Sequence, residues 1–271
     1  MLRAIVLARG LGTRMREADT TPLTPAQQRA ADAGHKALMP VNGQPFLAFV
    51  LSHLADAGLR EVALVVAPDH ATLREHFAAL PPQRVCLNFV VQPEPRGTAD
   101  AVLAAASWTG ADPFLVMNAD NLYPVPALRD LVALDGPGFA AFDADDLVAT
   151  SNIPANRVRA FALAEVDDEG WLRGIIEKPA EQSSNRVASA FRRKSAISMN
   201  LWRFDPRIYD ACREVPRSAR GEYELPEAVG LAIARGMRIT AVPARGPVLD
   251  LSRRADAADI ERRVSGVTPW P

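Results

Sequence analysis

The chain has 271 residues, 48% of them hydrophobic, enough for one large α/β core or one core with a small appended lobe. Lys and Arg number 31 against 32 Asp and Glu, so a formal net charge of −1 gives no overall field for nucleic acid or an anionic membrane; any anion site must be local. Apolar stretches all break well before about 18 residues, and Cys86 and Cys212 lack metal-type spacing, so the expectation is a cytoplasmic protein with reduced thiols and no membrane span.

In chain order, 2–8 is a β-branched apolar run that breaks into Ala8-Arg9-Gly10-Leu11-Gly12-Thr13-Arg14-Met15. A buried strand ending in such a loop turns its amides toward an anion, and Arg14 and the later Lys36 add permanent charge, so Leu7 to Thr13 is a candidate phosphate cradle. It is neither a dinucleotide G-x-G-x-x-G nor a Walker loop. Segment 18–34, rich in Thr, Pro, Gln and Ala, reads as an insertion or lid. Strands are predicted at 61–67, 85–91 and 113–118, and helices at 44–57, 69–79, 98–107 and 124–134. This β-α-β alternation predicts a doubly wound, mostly parallel sheet.

Strand ends in such a sheet carry ligands. After 85–91 comes Gln92-Pro93-Glu94-Pro95-Arg96-Gly97-Thr98, where a side-chain amide can read a base edge and Gly97-Thr98 can let a helix N-terminus approach a ligand. After 113–118 comes Ala119-Asp120-Asn121, and Asp250 ends a later apolar run; two carboxylates at separate strand ends suit Mg²⁺, which leaves the rest of its sphere to water and phosphates. From about 138 the pattern changes to an antiparallel ribbon, with strands at 161–166, 171–176 and 195–204, then helices at 222–235 and 252–264, the latter with Ser252 as N-cap. Glu177-Lys178 pairs a hydroxyl acceptor with a phosphate-binding cation, and 180–187 reads as a loop. His35, His53, His70 and His76 lack metal spacing and read as solvated or structural.

Taken in order, residues 4–15, 36–41, 92–101, 114–121, 161–178, 197–205, 218–225 and 245–250 resemble the segments of the sugar-1-phosphate nucleotidyltransferases, the family of glucose-1-phosphate thymidylyltransferases and mannose-1-phosphate guanylyltransferases. The resemblance implies a Rossmann-like, doubly wound mixed sheet of the nucleotide-diphospho-sugar transferase type with a small antiparallel sugar-binding lobe. It also implies Mg²⁺-dependent attack of a sugar-1-phosphate on a nucleoside triphosphate, with release of pyrophosphate. By position it makes Arg14, Lys36 and Asp120 catalytic, and Asp120 and Asp250 metal ligands. Leu7, Ala8, Arg9, Gly10, Gly12, Thr13, Gln92, Gly97 and Thr98 would bind the nucleotide, and Ala162, Glu177, Lys178 and Asn200 the sugar phosphate.

Several positions depart from the family pattern. Arg9 stands where Gly or Ala is usual, Ala119 replaces the Gly of "GDN", Phe161-Ala162 replaces Tyr-Gly, Asn200 falls on a Gly, and His35 replaces the Pro before the lysine. Each added side chain narrows a pocket or adds a contact, so base and sugar are poorly inherited. The expected organisation is one domain, 1–271, with a nucleotide half at 1–136, a sugar-phosphate half at 137–250 and a C-terminal helix and tail at 251–271. A non-sugar acceptor such as phosphocholine, a catalytically weak nucleotide-sugar sensor and a homo-oligomer stay open.

Overall fold

The computed structural model describes residues 2–10, 12–17, 20–176 and 195–271; Glu177, Lys178 and the loop expected at 180–187 lie outside the described residues. Strand β1 (Arg3–Leu7) is followed by helix α1 (Thr13–Arg16), helix α2 (Pro25–Ala33), a 3-10 turn at Lys36–Leu38, and the small hairpin β2 (Pro40–Val41) and β3 (Gln44–Pro45). Then come α3 (Phe46–Asp56), β4 (Glu61–Val66), α4 (Ala71–Ala79), β5 (Cys86–Val91), α5 (Thr98–Ala104), α6 (Ala106–Thr109), β6 (Phe114–Asn118), β7 (Asn121–Leu122) and α7 (Val125–Ala133). The second half contains β8 (Gly138–Phe142), α8 (Ala144–Thr150), α9 (Ala155–Val158), β9 (Ala162–Val166), β10 (Leu172–Ile176) and β11 (Ser195–Phe204). It closes with α10 (Ile208–Glu214), α11 (Leu225–Ala234), β12 (Thr240–Ala244), β13 (Leu249–Asp250) and α12 (Arg254–Arg263).

Nine strands share one sheet, in the order β10-β9-β11-β6-β1-β4-β5, with β8 paired to β11 and β12. β6, β1, β4 and β5 are parallel neighbours, whereas β11 runs antiparallel to β6, β8 and β9, and β9 antiparallel to β10. The fold is thus a mixed α/β sheet whose parallel part was legible as alternating strands and helices. In β1, Ala4 and Val6 pack into one core cluster and Ile5 into the other, so both faces are covered, as near-continuous apolar runs require.

The strand β11 changes partners midway. Ser195–Ser198 pair with β9 and Trp202–Phe204 with β6, and the register breaks between Ser198 and Trp202, where Asn200 takes a left-handed conformation with φ of 62°. Behind it Trp202 is fully buried, its ring 5.2 Å from Phe139 and 5.6 Å from Phe204. Each such buried aromatic contributes on the order of 2–3 kcal/mol, so the bend is held by the core.

Three expectations are corrected. Helix α11 begins at Leu225, not 222, because 222–224 are held extended by backbone pairing: Tyr223 N donates to Arg96 O at 2.8 Å and Ala99 N to Tyr223 O at 2.9 Å. Ser252 does not cap α12. Its Oγ donates to Asp250 Oδ1 at 2.7 Å, and the Asp256 carboxylate instead accepts from Ser252 N at 2.9 Å and Arg253 N at 2.7 Å. Within 18–34, α2 is a docked helix with a Thr24/Gln27 capping box. Gln27 Nε2 reaches Pro40 O at 3.0 Å and Glu261 at 2.9 Å, and Arg254 Nη2 reaches Asp32 at 2.7 Å.

Candidate active site

The carboxyl ends of β1, β4, β5 and β6 open on one crevice, where open α/β sheets place ligands. Its floor extends the sheet: Ala8 N donates to Val65 O, Ala119 N to Leu7 O and Gln92 N to Val66 O. Three cavities meet there. The first, about 220 Å³, is lined by Leu7, Ala8, Gly10, Lys36 and Asp120, with His35 and His70 also on its wall. In it Lys36 Nζ lies 2.9 Å from Asp120 Oδ2. Lys36 comes from the 3-10 turn, whose approach is set by Gly12: a Cβ there would stand 2.8 Å from Gly34 Cα, so only glycine lets the first loop lie against the second.

Asp120 and Asp250 converge although 130 residues of chain separate them. Asp250 pairs across the β7–β13 ladder with Asn121, and Leu251 N donates to Asp120 O at 2.8 Å. Asp250 is buried and ion-paired with Arg157, which also holds Asp256 at 2.8 Å. Burial, and then the charge of Asp120, push the Asp250 carboxyl above the ordinary carboxylate range against the pull of Arg157. Burial, with smaller contributions from both carboxylates, likewise raises the Tyr123 hydroxyl well above its usual value, and it donates to Met199 O. Two carboxylates that feel one another, Asp250 buried and Asp120 half-buried on the cavity wall, are of the donor type that suits a divalent cation. Among the described residues no group of three or more His, Cys, Asp and Glu could hold a metal by itself.

A second cavity, lined by Arg9, Gly10, Thr13, Gln92, Gly97, Thr98 and Glu222, shares Leu7, Gly10 and Thr98 with the first. Gln92 is buried, and its Nε2 is spent on Gly97 O at 3.1 Å and Asp100 at 2.8 Å, so the amide nitrogen holds the loop rather than pointing into the cavity. Arg9 folds along the same loop, Nε to Gln92 O at 3.0 Å and Nη2 to Pro93 O at 3.2 Å. Thr98 Oγ1 accepts from Leu225 N at 2.8 Å, tying α5 to α11. The third cavity joins Thr98 and Asn118 to Ala162, Asn200, Arg220, Glu222 and Glu224. Arg14 sits exposed on α1 and lines none of the three.

The nucleotidyl transferase family model matches residues 3–251. The chain belongs to this family. Among curated members, it is 30% identical to UTP–glucose-1-phosphate uridylyltransferase AglF of Haloferax volcanii, over 98% of each chain. It is 29% identical to glucose-1-phosphate thymidylyltransferase of Streptomyces antibioticus, over 97% of this chain and 66% of that one. Among solved structures, a UDP-glucose pyrophosphorylase complexed with UDP-glucose aligns at a TM-score of 0.73 and 17% identity, covering 96% of this chain and 97% of that one. A glucose-1-phosphate thymidylyltransferase of Bacillus anthracis, described as putative, aligns at 0.71 and 19%, covering 99% and 97%. At these identities the two structures bear on the fold alone, which is that of the nucleotidyl transferases.

Several residues of this family member's site were not legible as such. Arg157 and Ser252 hold Asp250, while Glu222 faces the second and third cavities and Arg220 the third, from a turn that reads as a simple helix start. Of the histidines, His53 is structural, its Nδ1 2.8 Å from Tyr123 O, but His35 and His70 face the Lys36 cavity. The chain signal for them was position: one precedes Lys36 and the other follows a parallel strand. No described helix is long and apolar enough to cross a membrane.

Proposed function

We propose that this nucleotidyl transferase joins a nucleoside monophosphate to a sugar-1-phosphate, releasing pyrophosphate, and that the names of its curated relatives point to glucose-1-phosphate with UTP or dTTP. The observation that carries the reading is the pairing of Lys36 with Asp120 on the wall of the first cavity, with Asp250 buried beside Asp120, and the sharing of lining residues between that cavity and the other two. The first half, 1–136, supplies the Lys36 cavity and all of the described Gln92 cavity except Glu222, and most of the Asn200 cavity comes from 137–250.

The attacking group, a sugar phosphate, is already ionised, so no general base is needed; positioning and neutralisation of charge can supply most of the acceleration. Lys36 faces the reacting phosphate, and its pairing with Asp120 holds its ammonium in the crevice. Asp120 and Asp250 would hold Mg²⁺, which when bound neutralises phosphate oxygens and orients them. Arg157 and Ser252 fix the Asp250 carboxylate for that task, and Arg14, exposed on its short helix and lining none of the three cavities, is assigned to the triphosphate on the resemblance alone. Gly10, Thr13, Gln92, Gly97 and Thr98 shape the nucleoside wall, with Arg9 bracing it. Ala162 and Asn200 form the sugar wall, to which Glu177 and Lys178 are assigned on the resemblance alone.

The test is a matrix of the common nucleoside triphosphates against a panel of sugar-1-phosphates, read by pyrophosphate release with and without Mg²⁺. Turnover for a glucose-1-phosphate and pyrimidine pair, lost on chelation, is expected. Silence across the whole matrix refutes the reading.

A further inference from the structure

The Lys36 cavity runs out to a wall on which the rings of His35 and His70 meet edge to face, their centroids 6.1 Å apart. On the reading above, the nucleoside takes the Gln92 cavity and the sugar the Asn200 cavity. What remains for the outer phosphates is this first cavity, because of the three it alone holds Lys36 and Asp120. Among its described lining residues Lys36 is the one fixed cation, and it is already paired with Asp120, so apart from the Mg²⁺ and Arg14 assigned above the several negative charges of the outer phosphates meet no other fixed cation on the described wall.

We propose that His35 and His70 form the contact wall for the pyrophosphate leaving group, an assignment that rests on the nucleotidyl-transfer reading. Each imidazole offers an N–H to a phosphate oxygen when neutral and takes up a proton as the anion arrives. The surrounding charges allow this: His70 faces Asp69, Arg9 and Arg74 besides His35, and His35 precedes Lys36 with Asp120 across the cavity. Burial foremost holds the His70 ring below the usual histidine range, which favours its uncharged form before the anion enters. Neither residue follows from the resemblance, which has Pro, not His, before the lysine.

The experiment runs the reaction backward, from nucleotide sugar and pyrophosphate. It compares wild type with His35→Gln, His70→Gln and the family-like His35→Pro at about pH 6 and about pH 8. Each variant is expected to raise the KM for pyrophosphate about fivefold at the lower pH, leave the KM for nucleotide sugar within about twofold, and lose most of the difference at the higher pH. An active wild type whose Gln variants keep their pyrophosphate KM, or whose two KM values rise together, overturns the wall and leaves the reaction standing. A wild type silent with every nucleotide sugar overturns both.

Discussion

Asn200 donates from Nδ2 to Asn118 Oδ1 at 3.1 Å while its own Oδ1 accepts from Trp202 Nε1 at 2.9 Å, all from a left-handed backbone. One side chain thus ties the bend of β11, the end of β6 and the buried indole into the sugar wall. Asparagine is among the few non-glycine residues that tolerate this conformation. Asn200→Ala should therefore lose both hydrogen bonds and keep the strain, destabilising the protein by about 1–3 kcal/mol in urea unfolding. Asn200→Gly relieves the strain, so it should stay closer to wild type in stability yet raise the KM for sugar phosphate more than for the triphosphate. Equal stability losses in the two variants would contradict the backbone argument.

Gly97 is, like Gly12, another backbone-determined position. It has φ of 114°, and a Cβ on it would stand 2.7 Å from Tyr223 N, where the extended segment before α11 crosses the start of α5. Nothing flexible lies in the way, so Gly97→Ala must push the two segments apart, with strain at an unfavourable φ besides. Activity should fall at least tenfold. By contrast Gly230→Ala, with open space around its Cβ, should be silent. Wild-type kinetics for Gly97→Ala would show that the crossing does not position the nucleoside wall.

The two thiols should separate cleanly by pH. Cys86 is exposed, whereas burial pushes Cys212 up to about 12. Reaction with a disulfide reagent requires the thiolate, so across about pH 7–9 the native protein should release one equivalent quickly, and the second only on unfolding. Two fast equivalents at neutral pH would mean that α10 opens on the assay timescale.

The parallel strands were legible because burial on both faces leaves an almost unbroken apolar run, as in Ala4-Ile5-Val6-Leu7, followed by a glycine loop. The meeting of Asp120 and Asp250 was legible as two carboxylates at strand ends and through the resemblance, but the two-residue strands β7 and β13 that join them were not, since they carry no periodicity at all. Strand β12 was missed for a like reason: Pro243 sits inside it, which a sequence pattern reads as a break. The spent amide of Gln92 could not be foreseen either, because which partner a buried side chain satisfies is decided by neighbours in space, here Asp100 and Gly97 O. His35 and His70 form a wall only once the loop after β4 is laid beside the Lys36 turn.

The two aspartates and Arg157 make a series whose signs differ. A carboxyl raised above its ordinary value of 3.8 favours the fold while protonated and works against it as pH climbs past that value, so ionised Asp250 is a strained group that Arg157 compensates. Asp250→Asn removes the charge and leaves Arg157 its bridge to Asp256, so without metal its unfolding midpoint at neutral pH should match or exceed wild type. Arg157→Ala instead leaves two carboxylates unpaired and should cost about 3 kcal/mol, more than either aspartate change. Added Mg²⁺ should raise the midpoint of wild type, because a ligand bound only by the fold stabilises it, and should do so little or not at all in Asp120→Asn and Asp250→Asn. Mn²⁺ binding followed by its paramagnetic signal should weaken in parallel. If both asparagine variants gain as much from Mg²⁺ as wild type does, the cation is held elsewhere and the pairing of these two carboxylates is structural.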